Sequence, residues 1–124
     1  MPNQAGVNLA KLLLPADISE FFLIMDVIQS KESITIYLEE NDTHPIEYKD
    51  DKLVSKGFFE SITVQDFPLR GKSVFLNIRR RRWTNETTGD IVWRDWEVVA
   101  KGTRMTNEFA AFLKAISRYE TGKL

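Results

Sequence analysis

Ser73-Val74-Phe75-Leu76-Asn77-Ile78-Arg79-Arg80-Arg81-Arg82-Trp83 is the stretch on which the reading of the fold turns. Val74, Leu76 and Ile78 alternate with Phe75 and Asn77, the period of two that marks a strand with one buried face. The pattern predicts a strand over Ser73 to Arg82 that runs out into four consecutive arginines. On an unbroken strand Arg80 and Arg82 continue the face of Val74, Leu76 and Ile78. Arg79 and Arg81 then share the other face with Phe75, Asn77 and Trp83.

Trp83 to Asp90 reads as a loop and Ile91 to Ala100 as a returning strand. A hairpin centred near Thr87 sets Arg79 against Asp95 and Asn77 against Glu97. On the opposite face it sets Arg80 against Arg94, with Arg82 beyond. Like charges opposed in a sheet are unfavourable unless an anion joins them. Phosphate suits that place, because a guanidinium grips it as a planar fork. A register slip of one residue exchanges the two faces.

Working outward, Phe21 to Gln29 reads as a strand, Ser30 to Ser33 as a polar turn, and Ile34 to Glu39 as a second strand with Ile34, Ile36 and Leu38 on one face. Glu40 to Ser55 is polar and acidic and reads as a loop. Gly57-Phe58-Phe59 leads to a short strand over Ser61 to Val64, and Pro68 and Gly71 punctuate a turn. At the start, residues 1–7 are polar and expected to be loose. Asn8 to Leu14 reads as a short helix ended by Pro15, and Asp17 as the cap of one further turn. At the end, Met105, Phe109, Phe112, Leu113 and Ile116 form one apolar face of a helix over about residues 106–119. Thr106 or Asn107 caps that helix and Gly122 ends it. The expected fold is a single α+β domain over residues 1–124. It has a small twisted antiparallel sheet, a short N-terminal helix and one C-terminal amphipathic helix.

Composition narrows function. The chain has 124 residues, 43% of them hydrophobic, which suffices for one core. It has no cysteine, which removes disulfides, thiolate nucleophiles and cysteine-ligated zinc. His44 is the one histidine, too few for a zinc site, and a Ser-His-Asp apparatus would have to rest on it. Glu39, Glu40, Asp42, Asp50 and Asp51 lack the spacing of an EF-hand and read as a solvated acidic loop. No glycine-rich phosphate loop is present. The expectation is a protein with no enzymatic activity, cofactor or metal. No apolar run approaches the roughly 20 residues of a membrane span, so a cytoplasmic setting is expected.

Charge is unevenly placed. Residues 1–52 carry four bases against ten acids, and residues 53–124 carry thirteen bases against eight acids. A phosphate-binding surface therefore belongs in the second half. The candidate residues are Arg79, Arg80, Arg81, Arg82 and Arg94, extended by Lys72, Lys101 and Arg104. Trp83 and Trp93 offer stacking surface for bases, whereas Trp96 reads as core. The plainer reading is that these arginines are solvated and that the two halves partly neutralise each other.

The chain also resembles the short N-terminal-region proteins of certain split bacterial insertion-sequence transposases. The resemblance rests on Ile36 to Glu40, Leu53 to Phe58, Ile62-Thr63-Val64-Gln65-Asp66-Phe67-Pro68-Leu69-Arg70-Gly71-Lys72, Arg79 to Trp83, Val99 to Thr106, and Phe109-Ala110-Ala111-Phe112-Leu113. It extends over about Leu12 to Tyr119. More distantly, Ile62 to Trp83 is similar to the core of the zinc-ribbon region in single-chain transposases. There cysteine pairs flank the strands; here the flanking places fall near Thr43-His44-Pro45 and after Arg82, without a cysteine. The resemblance implies a degenerate zinc ribbon without its metal, a DNA-binding role at the element's ends, and a catalytic transposase subunit or downstream frame as partner. It matches no catalytic acid of that family to this chain. The rival expectation is a protein-interaction or regulatory module that uses the C-terminal helix or the acidic loop and leaves DNA untouched.

Overall fold

A computed structural model describes residues 11–95 and 104–122. The elements in chain order are α1 (Ala16–Phe21), β1 (Phe22–Gln29), β2 (Ser33–Glu40), a single 3-10 turn (Ile46–Tyr48), β3 (Leu53–Phe58), β4 (Ile62–Leu69), β5 (Lys72–Arg79), β6 (Arg81–Asn85), β7 (Ile91–Trp93) and α2 (Asn107–Gly122). The chain is an α+β protein built mostly of strands.

The two most regular alternations, in β2 and β5, become neighbouring central strands of a four-stranded sheet ordered β1-β2-β5-β4. Their inward residues Ile36, Leu38, Val74, Leu76 and Ile78 form the main core with Phe22, Ile24 and Val64, and Leu14 and Ile18 pack onto it. The expected single antiparallel sheet is corrected in two respects. There are two sheets, and β2 pairs β5 in parallel, Ser33 opposite Ser73 through Glu39 opposite Arg79. Parallel neighbours need a long crossover. Here β3 and β4 supply it and bring β5 back in the direction of β2.

β3 and β4 run antiparallel to β6 and β5 as the two arms of one long hairpin. Its tip is Arg70-Gly71, both with positive φ, at 53° and 79°. Both arms change sheet at the same level. Ile62 pairs with Ile78 in the first sheet and Phe58 with Arg81 in the second. Between them the Phe59 N–H donates to the Arg80 carbonyl at 2.8 Å. The strand expected unbroken from Ser73 to Arg82 therefore breaks at Arg80. Leu53 to Ser55 and Trp83 to Asn85, expected in loops, are strand. β4 also runs on through Pro68, which an edge strand tolerates because no ladder partner needs its N–H.

The second sheet is ordered β3-β6-β7. Its register is Arg82 opposite Trp93, Trp83 opposite Val92 and Thr84 opposite Ile91. This is the one-residue slip away from the register that opposes Arg80 and Arg94. The cause is apolar: Trp83 and Val92 share a face with Leu53 and close a second small core with it. Arg94 and Asp95 lie beyond β7, and Trp96 and Glu97 of the expected strand lie outside the described residues.

At the N-terminal side, residues 11–13 form a helical turn, the described end of the expected first helix. Pro15, not Asp17, stands at the N-cap of α1, with no side-chain cap. At the other end the Thr106 hydroxyl accepts the Phe109 N–H at 3.3 Å, the capping bond expected there. It also donates to Asp66 of β4 at 2.8 Å. α2 rests on β4 through Phe109 and Phe112 against Phe67, with ring centres 5.3 and 5.4 Å apart. Among the described residues no helix is long and apolar enough to cross a membrane.

Candidate nucleic-acid interface

The arginine run acquires its geometry from a bulge in β3. Between Ser55 and Phe58 the register shifts. Gly57 carries φ +89°, a region glycine enters without the clash of a Cβ. The extra residue aims consecutive phenylalanines at opposite faces of the sheet. The guanidinium carbons of Arg79 and Arg81 lie 4.5 and 4.6 Å from the centre of the Phe58 ring. Those of Arg80 and Arg82 lie 5.1 and 5.6 Å from the centre of Phe59. The four arginines thus divide two and two, as alternation demands.

The first pair, with Arg94, lies toward the acidic end of β2, where Arg79 stays half exposed. Arg79 meets Glu39 at 3.1 Å. The Arg81 backbone N–H donates to Oε1 of Glu40 at 3.1 Å, and its Nε to the Glu40 carbonyl at 3.2 Å. Its terminal nitrogen reaches Ser55 Oγ at 2.5 Å. Nε of Arg94 donates to Oε2 of Glu40 at 3.3 Å, and another of its nitrogens to the Thr43 carbonyl. Its guanidinium carbon lies 4.1 Å from the centre of Phe21. For Arg79 and Arg94 internal neutralisation holds, whereas the Arg81 side chain is held by a carbonyl and a hydroxyl. The acids were expected in a solvated loop, yet Glu40 is only 1% exposed.

Trp83, expected as a stacking surface, is a correction of the same kind. It is fully buried, and its indole N–H donates to Asp42 at 2.7 Å. His44 stands edge-on to it at 6.0 Å. Among the described residues no three His, Cys, Asp or Glu side chains gather as a metal cradle.

The second pair lies on the other face of the sheet, half-buried beside Phe59. The Arg80 guanidinium makes no hydrogen bond or ion pair among the described residues, and its Nε is buried without an acceptor. Arg82 donates Nε to the Lys56 carbonyl at 3.3 Å and pairs with no carboxylate there. Trp93, across the ladder from Arg82, is 50% exposed and stands edge-to-face with Phe59 at 5.6 Å and 86°. Exposed Val54 and Ile91 share this face, because both flank Thr84 in the ladder.

The remaining candidates do not join the cluster. Lys72 sits at the opposite end of β5 from Arg79, about 23 Å away at strand rise, and its Nζ donates to the Ser30 carbonyl at 2.9 Å. Arg104 is exposed beside β4, where its carbonyl accepts the Gln65 N–H at 2.7 Å. Lys101 lies outside the described residues. Phe59 and Lys56 are not legible as members from alternation alone; their signal is Gly57, a bulge-forming residue directly before Phe58 and Phe59. A face that sets two guanidiniums without a carboxylate partner among the described residues beside aromatic rings can hold phosphate and base together.

No protein-family model matches the chain, and neither a curated protein nor a solved structure matches it.

Proposed function

We propose that this chain is a non-catalytic accessory part of an insertion-sequence transposase. It contacts element-end DNA through phosphates held by Arg80 and Arg82. One observation carries the reading: among the described residues the Arg80 guanidinium has no acceptor, and it shares the Phe59 ring with a second cation. Two like charges this close cost stability unless an anion joins them. Such contacts position a protein on DNA without reading its sequence. In this reading Arg79, Arg81 and Arg94 build the fold, and Arg80, Arg82 and exposed Lys56 serve DNA. The long hairpin is then a degenerate zinc ribbon held by Leu53, Trp83 and Val92 in place of metal. The protein works in the cytoplasm beside a catalytic transposase subunit.

The test is fluorescence anisotropy with duplex DNA across a salt series, with and without the catalytic partner. Each phosphate contact adds about 0.9 to the slope of log affinity against log salt. The double variant Arg80→Ala, Arg82→Ala should lower that slope by roughly 2. No affinity at low salt, even beside the partner, sinks the DNA role.

The rival, a protein-interaction module, has its own observation: Phe112, Leu113 and Ile116 of α2 are each more than a third exposed along one stripe. It expects partner binding to survive the double arginine change and DNA binding to be missing from the start.

A further inference from the structure

Resting on that reading, we infer that the Trp93 face takes an unpaired base, so that the DNA held best is opened or single-stranded. An edge-to-face pair uses at most one face of either ring. Phe59 meets Trp93 in that way at 86°, so one side of the Trp93 indole stays open. The residue is 50% exposed, on a strand of only three residues. Arg80 and Arg82 both stand over the Phe59 ring, which leaves Trp93 the more accessible aromatic surface.

Arg82 is the ladder partner of Trp93. Directly opposed residues in an antiparallel pair have Cα atoms about 5 Å apart. One nucleotide can therefore lay its base on the indole and its phosphate against the guanidinium. Val54 and Ile91 continue the apolar floor. A paired base within a duplex has both faces covered by its neighbours, whereas an unpaired base has a face free to stack. The phosphate contacts of Arg80 and Arg82 serve either form; only the unpaired form gains Trp93.

The experiment compares a labelled single strand with a duplex of the same sequence at low salt. The proteins are the wild type, Trp93→Phe, Trp93→Thr and the double arginine variant. Wild type should bind the single strand roughly ten-fold more tightly than the duplex, within the range that one stacked base supplies. Trp93→Thr should bring single-strand affinity down to that for the duplex, and Trp93→Phe should keep most of the preference. Equal wild-type affinity for the two forms overturns the inference, and this arm needs no variant. If duplex binding still falls in the double arginine variant, the phosphate reading stands without it. If the double arginine variant binds both forms as wild type does, the phosphate reading itself has failed.

Discussion

Glu40 and Arg94 form a buried ion pair, Nε to Oε2 at 3.3 Å, across 54 positions of chain. Glu40 closes β2 of the first sheet, and Arg94 follows β7 of the second. The same carboxylate accepts the Arg81 N–H with its other oxygen. One acid thus ties the end of one sheet to both the hairpin arm and the segment leaving the other sheet.

Removing one partner of a buried pair leaves the other charge without compensation, at a cost of about 3–5 kcal/mol. Glu40→Ala should lose stability on that scale in urea unfolding. Arg79→Ala also breaks an arginine–glutamate pair, but its guanidinium side is half exposed, and such pairs contribute under about 1 kcal/mol. Equal losses for the two variants would contradict the role given to Glu40.

The hairpin tip makes a second, independent prediction. Arg70 and Gly71 both have positive φ, as a two-residue type I′ turn requires, and asparagine followed by glycine suits it best. Arginine gains nothing there to offset the left-handed strain. Arg70→Asn should raise stability by roughly 0.5 kcal/mol, and Gly71→Ala should lower it by about 1 kcal/mol. Thermal melts of the two variants should shift in opposite directions.

How far the sequence reaches is shown by the same hairpin. Period-two alternation in β2 and β5 placed the first core, because burial on one face leaves a direct mark on residue order. The split of the arginines into Arg79 with Arg81 and Arg80 with Arg82 followed from the same rule. The break at Arg80 left no such mark, since a strand that changes sheets keeps its alternation. Pairing β6 and β7 by charge misplaces the register by one residue, because the burial of Trp83 and Val92 outweighs exposed charges. The burial of Glu40 could not be read at all. It depends on Arg81 and Arg94, which only the parallel pairing of β2 with β5 brings to it.

The start of α2 offers a third test. The Thr106 hydroxyl both accepts from the Phe109 N–H and donates to buried Asp66. Thr106→Val keeps the shape and loses both bonds. The cap contributes about 1 kcal/mol, and an orphaned buried acceptor adds about 1–3 kcal/mol. Destabilisation of roughly 2–3 kcal/mol is expected by denaturant titration. Asp66→Asn, which keeps an oxygen acceptor, should cost less.

The last prediction sets adjacent arginines against each other. Arg81 donates its Nε to a backbone carbonyl and a terminal nitrogen to Ser55. Arg81→Met should therefore cost about 2 kcal/mol, because the Glu40 carbonyl loses its charged donor. Among the described residues the Arg80 guanidinium donates to nothing, and its Nε is buried. Arg80→Met keeps an apolar stem against Phe59 and removes an uncompensated charge, so stability should stay level or rise slightly. DNA affinity should follow the reverse order, falling for Arg80→Met and changing little for Arg81→Met once folding is matched. Stability is read by urea midpoint and binding by anisotropy on the same two proteins. A residue that weakens the fold yet is required for binding is held there by its ligand. If Arg80→Met instead destabilises as much as Arg81→Met and leaves DNA binding intact, the pair of Arg80 and Arg82 is structural, and the helix stripe of Phe112, Leu113 and Ile116 becomes the better functional surface.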